Sequence, residues 1–208
     1  ILADREEIKY KEIPSFDLEN SDRGALKKHL MAYGAWPLIN ERPFDRIANP
    51  EQDPKAIFIT TFDSAPLAAD FGMIVEGKKE EFQKGLYVLN HLTDGTVYLG
   101  LDARGKEKPH QAFTDAKNVE KHWFKGPHPS GNVGVHIHHV DPIRTGQTVW
   151  TLDVQNVITI GGMFLHGKFI ADRTIALVGN GLEQPKYIKT LAGANVGELL
   201  TSNLQGEG

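Results

Sequence analysis

The 208-residue sequence predicts an α/β fold: a parallel sheet with helices on both faces, followed by the start of a second, smaller module. Three observations predict it. Residues 56–61 (AIFITT) form a continuous apolar run, rich in β-branched side chains and preceded by Pro54. That is the pattern of a strand buried on both faces. Residues 76–92 then place Phe82, Leu86, Leu89 and Leu92 at helical spacing, and 96–101 (TVYLGL) read as another strand. Strand, helix and strand in succession make a βαβ unit. After Pro185 the pattern changes to a short strand at 187–191, a turn at Gly193 and a short helix from Val196.

Taken in order, residues 1–20 read as a polar connector with Tyr10, Ile13, Phe16 and Leu18 scattered through it. Ser21 is the expected N-cap of a helix over 22–33, with Ala25, Leu26, Leu30 and Tyr33 at helical spacing and Gly34 at its end. Residues 36–46 (WPLINERPFDR) contain Pro37 and Pro43 and are expected as an irregular loop. Beyond the first strand, 63–67 lie at the edge where ligands bind in open α/β sheets. Residues 102–117 read as polar loop and 119–124 as a third strand. Residues 148–153 read as a fourth strand, and Val154, Val157, Ile158, Gly161 and Leu165 as a helical stripe in which Gly161–Gly162 marks a very close packing partner. A further strand is expected at 174–178. The expected division is a connector and packing helix over 1–50, a Rossmann-like domain over 51–179, and a truncated module over 180–208.

Composition bounds the function. A net charge of −4 and the lack of a basic stripe argue against nucleic-acid binding. The absence of cysteine excludes disulfides, thiolate zinc sites, iron–sulfur ligation and a cysteine nucleophile. No run approaches the roughly 18 apolar residues of a membrane-spanning helix, and no signal peptide is found. The chain opens on Ile1 and closes on 205–208 (QGEG), and the expectation is a piece of a longer protein.

Two stretches carry candidate chemistry. Residues 126–142 hold His128, His136, His138 and His139 among three prolines and three glycines. A metal reading lacks H-E-x-x-H and any Asp or Glu at ligand spacing, so a structural turn is expected, leading into a helix capped by Asn132. In 36–46, aromatic and arginine side chains interleave. They read either as a surface that grips a flat or anionic ligand, since arginine stacks and forks, or as a packed connector in which Trp36 and Phe44 fill core. Neither G-x-G-x-x-G, G-x-x-x-x-G-K-[ST] nor G-x-S-x-G is present.

Spaced residues along the chain resemble the NqrA family, which belongs to the sodium-translocating NADH:quinone oxidoreductases. They are Gly34-x-Trp36, Arg42-Pro43-Phe44, 56–60 (AIFIT), Pro66-Leu67-Ala68-Ala69, Gly85-Leu86, Leu92-Thr93-x-Gly95, and 126–138 (GPHPSGNVGVHIH). Further matches are Val149-Trp150, Gln155-x-Val157-Ile158-x-Ile160-Gly161 and Pro185. Position 139, a bulky apolar residue in that family, is His here. The resemblance implies a Rossmann-like domain, distantly like the flavin-carrying NADH-binding subunit of complex I, followed by a β-grasp (SLBB-type) domain, with a lipoyl-like domain upstream. Where flavin-bearing relatives place a glycine-rich cradle, this chain has the bulky 34–46 stretch, which implies no redox cofactor on this chain. NADH and flavins would sit on other subunits, and ubiquinone would be the substrate of the complex. The implied partners are those subunits, especially one in the membrane, with the chain placed at the cytoplasmic face of the bacterial inner membrane. The family segment over 39–46 is associated with quinone. It makes Trp36, Ile39, Arg42, Pro43, Phe44 and Arg46 the quinone-binding candidates, with Phe44 stacking and Arg42 donating to a quinone oxygen. His128 and His136 rank second. The competing expectations are a cofactor-binding oxidoreductase domain and a metal hydrolase built on the histidines.

Overall fold

The computed structural model describes residues 9–105, 107–200 and 203–204. Of the expected connector, residues 1–8 lie outside the described residues, as do 205–208 at the other end. Helix α1 (Arg23–Ala32) is capped by Asp22 rather than Ser21: Asp22 Oδ1 accepts the Ala25 N–H at 2.7 Å. A carboxylate there satisfies the free amide and complements the helix dipole together.

The largest departure comes next. Residues 36–46 are not irregular. They form a 3-10 turn (Trp36–Leu38) and a β-hairpin of β1 (Asn40–Arg42) and β2 (Arg46–Ile47), in register Asn40↔Ile47 and Glu41↔Arg46. Pro37 falls in the first turn of the 3-10 segment, where a missing N–H costs nothing. Pro43 falls in the three-residue loop between the strands, so neither proline breaks a ladder. Asp45, at φ 51°, fills the left-handed position that such loops end on.

Strands β3 (Ile57–Thr60), β4 (Val97–Asp102), β5 (Glu120–Phe124) and β6 (Val149–Leu152) form the expected parallel sheet. The hairpin adds an antiparallel edge, β1 pairing with β6, to give the order β2-β1-β6-β3-β4-β5. The helices α2 (Phe71–Val75), α3 (Lys79–Asn90), α4 (Gln111–Thr114), α5 (Val133–Val140) and α6 (Val154–His166) connect and cover it. Helix α4 falls where only loop was expected, and α2 in a stretch given no element. Both are too short to show a hydrophobic period, and each opens on a side-chain cap, Asp70 or His110.

Burial on both faces follows from β3. Ile57 and Ile59 point into the main core with Phe82, Leu86, Leu89, Val157 and Ile160 of α3 and α6. Phe58 points the other way, into a smaller cluster with Ile137 of α5 and Val149. Gly85 and Gly161 set the α3–α6 crossing. A Cβ on Gly161 would stand 1.8 Å from the Glu81 carbonyl oxygen, and one on Gly85 would stand 2.1 Å from that of Val157.

The strand expected at 174–178 is β7 (Asp172–Leu177), and it is not part of the main sheet. It pairs antiparallel with β8 (Lys186–Leu191) in a separate two-stranded ribbon, followed by α7 (Val196–Leu200). The expected boundaries at 50 and 179 do not coincide with the strand pairing. Strands β1 and β2, before residue 51, belong to the sheet, and β7, before residue 179, does not. An apolar run identifies a strand without specifying its partner.

Candidate functional site

The hairpin sits at the amino edge of the parallel strands. Arg42 pairs with Val149, the first residue of β6, so the loop 43–45 projects beyond that strand's start. Residues 43–47 are exposed, Phe44 and Ile47 at 76% and 54%. A buried carboxylate anchors this apolar tip. Glu41, 1% exposed, accepts from Arg46 Nε at 2.6 Å and from the Asn49 N–H at 2.9 Å. Burial pushes the Glu41 carboxyl up, but the Asn49 amide and the Arg46 guanidinium outweigh it and hold it below its ordinary value. Arg46 also lies over the Phe44 ring, 5.8 Å from its centroid. Arg42 is less well matched. Its Nε lies 3.4 Å from Asp45 Oδ1 yet is buried with no hydrogen-bond partner among the described residues.

The six quinone candidates therefore divide. Pro43, Phe44 and Arg46 are exposed at the tip and Arg42 is half-buried beneath it. Trp36 and Ile39 are core. Trp36 donates its indole N–H to Ala48 O at 2.7 Å and packs edge-on against Trp150, and Ile39 is 0% exposed. Those two hold the hairpin's base on the sheet.

The histidine stretch begins at the opposite, carboxyl edge, and α5 carries its end back to Lys55 ahead of β3, where Lys55 pairs with Asp141. At the carboxyl edge the loop after β3 and the start of α5 are closed together. Ser64 Oγ accepts the Gly131 N–H at 2.8 Å and is 3.1 Å from His128 Nδ1, and Thr60 Oγ1 donates to Gly131 O at 3.2 Å. A Cβ on Gly131 would be 2.5 Å from the Ser64 nitrogen, so glycine is needed for the contact. Arg104, paired with Asp102 at 2.8 Å, covers the Phe62 ring beside them.

The two histidine candidates behave differently. His128 is exposed, whereas His136 is 2% exposed, stacks on Phe124 with centroids 3.7 Å apart, and donates Nε2–H to Ser130 O at 2.8 Å. Burial lowers its pKa, with the Ser130 carbonyl opposing. Gly100 makes room for this ring: a Cβ there would be 2.4 Å from His136 Nδ1. His138 and His139 end α5, and no metal-holding group of three His, Asp or Glu side chains occurs among the described residues. Val133 apart, the amides at the start of α5 are already engaged: Gly131 by Ser64, Asn132 by Pro129 O, Gly134 by Asn132 Oδ1, and Val135 and His136 by Asn132 O. A phosphate would find no cradle of free donors there.

Sequence reasoning missed Glu41, Gly100 and Arg104. A lone acid in a three-residue strand has no periodic signal, and Gly100 is legible only once His136 is placed over it.

Comparison with known proteins decides the family. Residues 21–169 match the family model of the NqrA second alpha/beta domain. The chain belongs to the NqrA family. The NqrA subunit of the Na(+)-translocating NADH-quinone reductase of Neisseria meningitidis serogroup B is 36% identical over 96% of this chain. The corresponding subunits of Pseudomonas aeruginosa and Alcanivorax borkumensis are 37% and 35% identical over 96% and 98% of it. These matches cover 44–45% of each NqrA relative, so the chain spans less than half of their length. Among solved structures, an NAD+-reducing [NiFe]-hydrogenase in the H2-reduced state superposes with a TM-score of 0.55 at 12% identity, over 89% of this chain and 42% of that one. That likeness is one of fold. No helix among the described residues is long and apolar enough to cross a membrane.

Proposed function

We propose that this chain is the central part of a peripheral subunit of a sodium-translocating NADH:ubiquinone reductase, on the cytoplasmic face of the bacterial inner membrane. Its role is to scaffold the complex and to present the hairpin 40–47 to quinone during reduction of ubiquinone to ubiquinol. NADH and flavins belong to other subunits, a membrane subunit is the neighbouring partner, and this chain carries no redox cofactor. The engaged amides at the start of α5 and the bulky 34–46 stretch support that last point. The ribbon β7–β8 with α7 is the start of a β-grasp module, which the rest of the subunit completes.

One observation carries the quinone reading: an exposed Phe44 ring at the tip of the hairpin, with the Arg46 guanidinium over it and the half-buried Arg42 at the end of β1. A quinone offers a flat ring to stack and a carbonyl to accept. Trp36 and Ile39 act behind this surface, not on it.

The test is steady-state kinetics of the assembled complex with Arg42→Ala and Phe44→Ala combined. A charged donor to a carbonyl and one aromatic stack contribute about 2 kcal/mol or more, so the quinone KM rises by about 30-fold or more. NADH oxidation by an artificial acceptor stays unchanged. An unaltered quinone KM refutes the assignment.

A further inference from the structure

A second site lies between α6 and the ribbon, away from the hairpin. It is a cavity of about 370 Å³, within the range of small-ligand pockets. Its walls are held in place without a ligand. Gln155 on α6 uses both ends of its amide on the β7 backbone, accepting the Thr174 N–H at 2.8 Å and donating to Thr174 O at 3.1 Å. Tyr187 Oη on β8 accepts the Asp70 N–H at 2.8 Å, which ties the ribbon to the α2 end.

The lining has an apolar part and a polar part. Ile74, Ile158, Ile170 and Ile188 supply the apolar part. On the polar side the partners are unequal. Glu81 is already matched by Lys78 Nζ at 3.2 Å and His166 Nε2 at 3.4 Å. Arg173 is not: one arm, Nη2, donates to Asn156 Oδ1 at 2.5 Å, while Nη1 is buried with no hydrogen-bond partner among the described residues. A buried guanidinium N–H without an acceptor is costly, and a carboxylate that drew the Arg173 head into the cavity would satisfy it best. Lys78 and Lys189 line the same cavity, Lys78 already paired with Glu81, and Lys189 adds a further cation. Glu76, Glu81 and Asp172 line it too, three acids against three cations, so the lining opposes a dianion more than a single negative charge.

We propose that this cavity binds a small carboxylate with an apolar, ring-sized body, its carboxylate on Arg173 and its body against Ile158 and Ile188. This goes beyond the quinone reading and is independent of it, because the cavity and the hairpin share no residue.

The test uses the full chain and 1-naphthoate as probe, by isothermal titration calorimetry. Saturable 1:1 binding is expected, at least tenfold tighter than to the uncharged 1-naphthalenemethanol. Arg173→Gln, which keeps an amide donor for Asn156, removes that difference and leaves the alcohol's affinity within twofold. Ile158→Trp, which fills the cavity, weakens both probes. Methyl NMR of the unsubstituted chain stands apart from any folding defect in the variants. The Ile74, Ile158 and Ile188 methyls shift on adding naphthoate, while those of Ile57 and Ile59 in the sheet do not. Equal affinity for acid and alcohol, an unchanged affinity in Arg173→Gln, shifts confined to other isoleucines, or tighter binding of 1-naphthyl phosphate would each overturn the proposal.

Discussion

Two adjacent glycines in α6 respond oppositely to the same substitution. In Gly161→Ala the new Cβ would lie 1.8 Å from Glu81 O, roughly 1.6 Å short of the 3.4 Å at which ordinary contact begins. The obstacle is helix backbone, so α3 and α6 have to separate. Overpacking of this kind costs about 1–3 kcal/mol and at times more, and replacing a helical glycine returns at most about 1 kcal/mol. A contact of 1.8 Å with backbone puts the cost at or above the top of that range, so the net loss is about 2 kcal/mol or more. For a domain of this size that lowers Tm by about 4–8 °C. In Gly162→Ala the Cβ meets Glu81 Cγ and His166 Cδ2 at 3.7 Å, which is ordinary contact. Only the helix-propensity gain of about 0.5–1 kcal/mol remains, and Tm rises by about 1–4 °C. Circular dichroism melts of the two single variants against the parent read both signs. Equal shifts, or a Gly161→Ala Tm within 1 °C of the parent (against the expected drop of about 4 °C or more), would refute the helix-crossing argument.

Three further outcomes follow from the same geometry. Glu41→Gln loses the charge that holds Arg46 and weakens the acceptor for Asn49, costing about 1–3 kcal/mol in denaturant unfolding at pH 7. Because the Glu41 carboxyl is held below its ordinary value, this stability is present above the unfolded pKa near 4.3 and is lost as pH falls through the folded one. Parent and variant stabilities should therefore converge on acidification. His136, lowered by burial, stays neutral where a free histidine charges, so stability declines as pH falls below about 6.5. An NMR titration of its ring should show a midpoint below that value, and one at or above it would contradict the burial. Ser64→Ala leaves the Gly131 N–H without its acceptor and costs about 1–3 kcal/mol by the same unfolding measurement.

The parallel core was legible because its signals are strong and local. The β3 run alternates between two buried faces, α3 and α6 carry clean helical stripes, and the Gly161–Gly162 pair foretold a close approach that Glu81 O provides. Asn132 capped α5 as its turn residues indicated. The hairpin was illegible for a physical reason. Its strands are two and three residues long, its prolines lie where prolines do no damage, and its stability comes from pairing with β6 more than 100 residues away. The β7–β8 partnership was hidden in the same way, since strand choice is tertiary. The resemblance singled out 39–46, but only the structure separates Phe44 at the tip from Trp36 and Ile39 in the core. It also places His128 and the start of α5 at the far edge of the sheet from that tip.

That separation makes a direct measurement possible. Equilibrium titration of the assembled complex with ubiquinone compares two double variants, Arg42→Ala with Phe44→Ala at the hairpin and Ser64→Ala with His128→Ala at the carboxyl edge. The account predicts that the hairpin pair weakens binding by about 30-fold or more and that the carboxyl-edge pair stays within about twofold. Binding lost at the carboxyl edge and retained at the hairpin would contradict it.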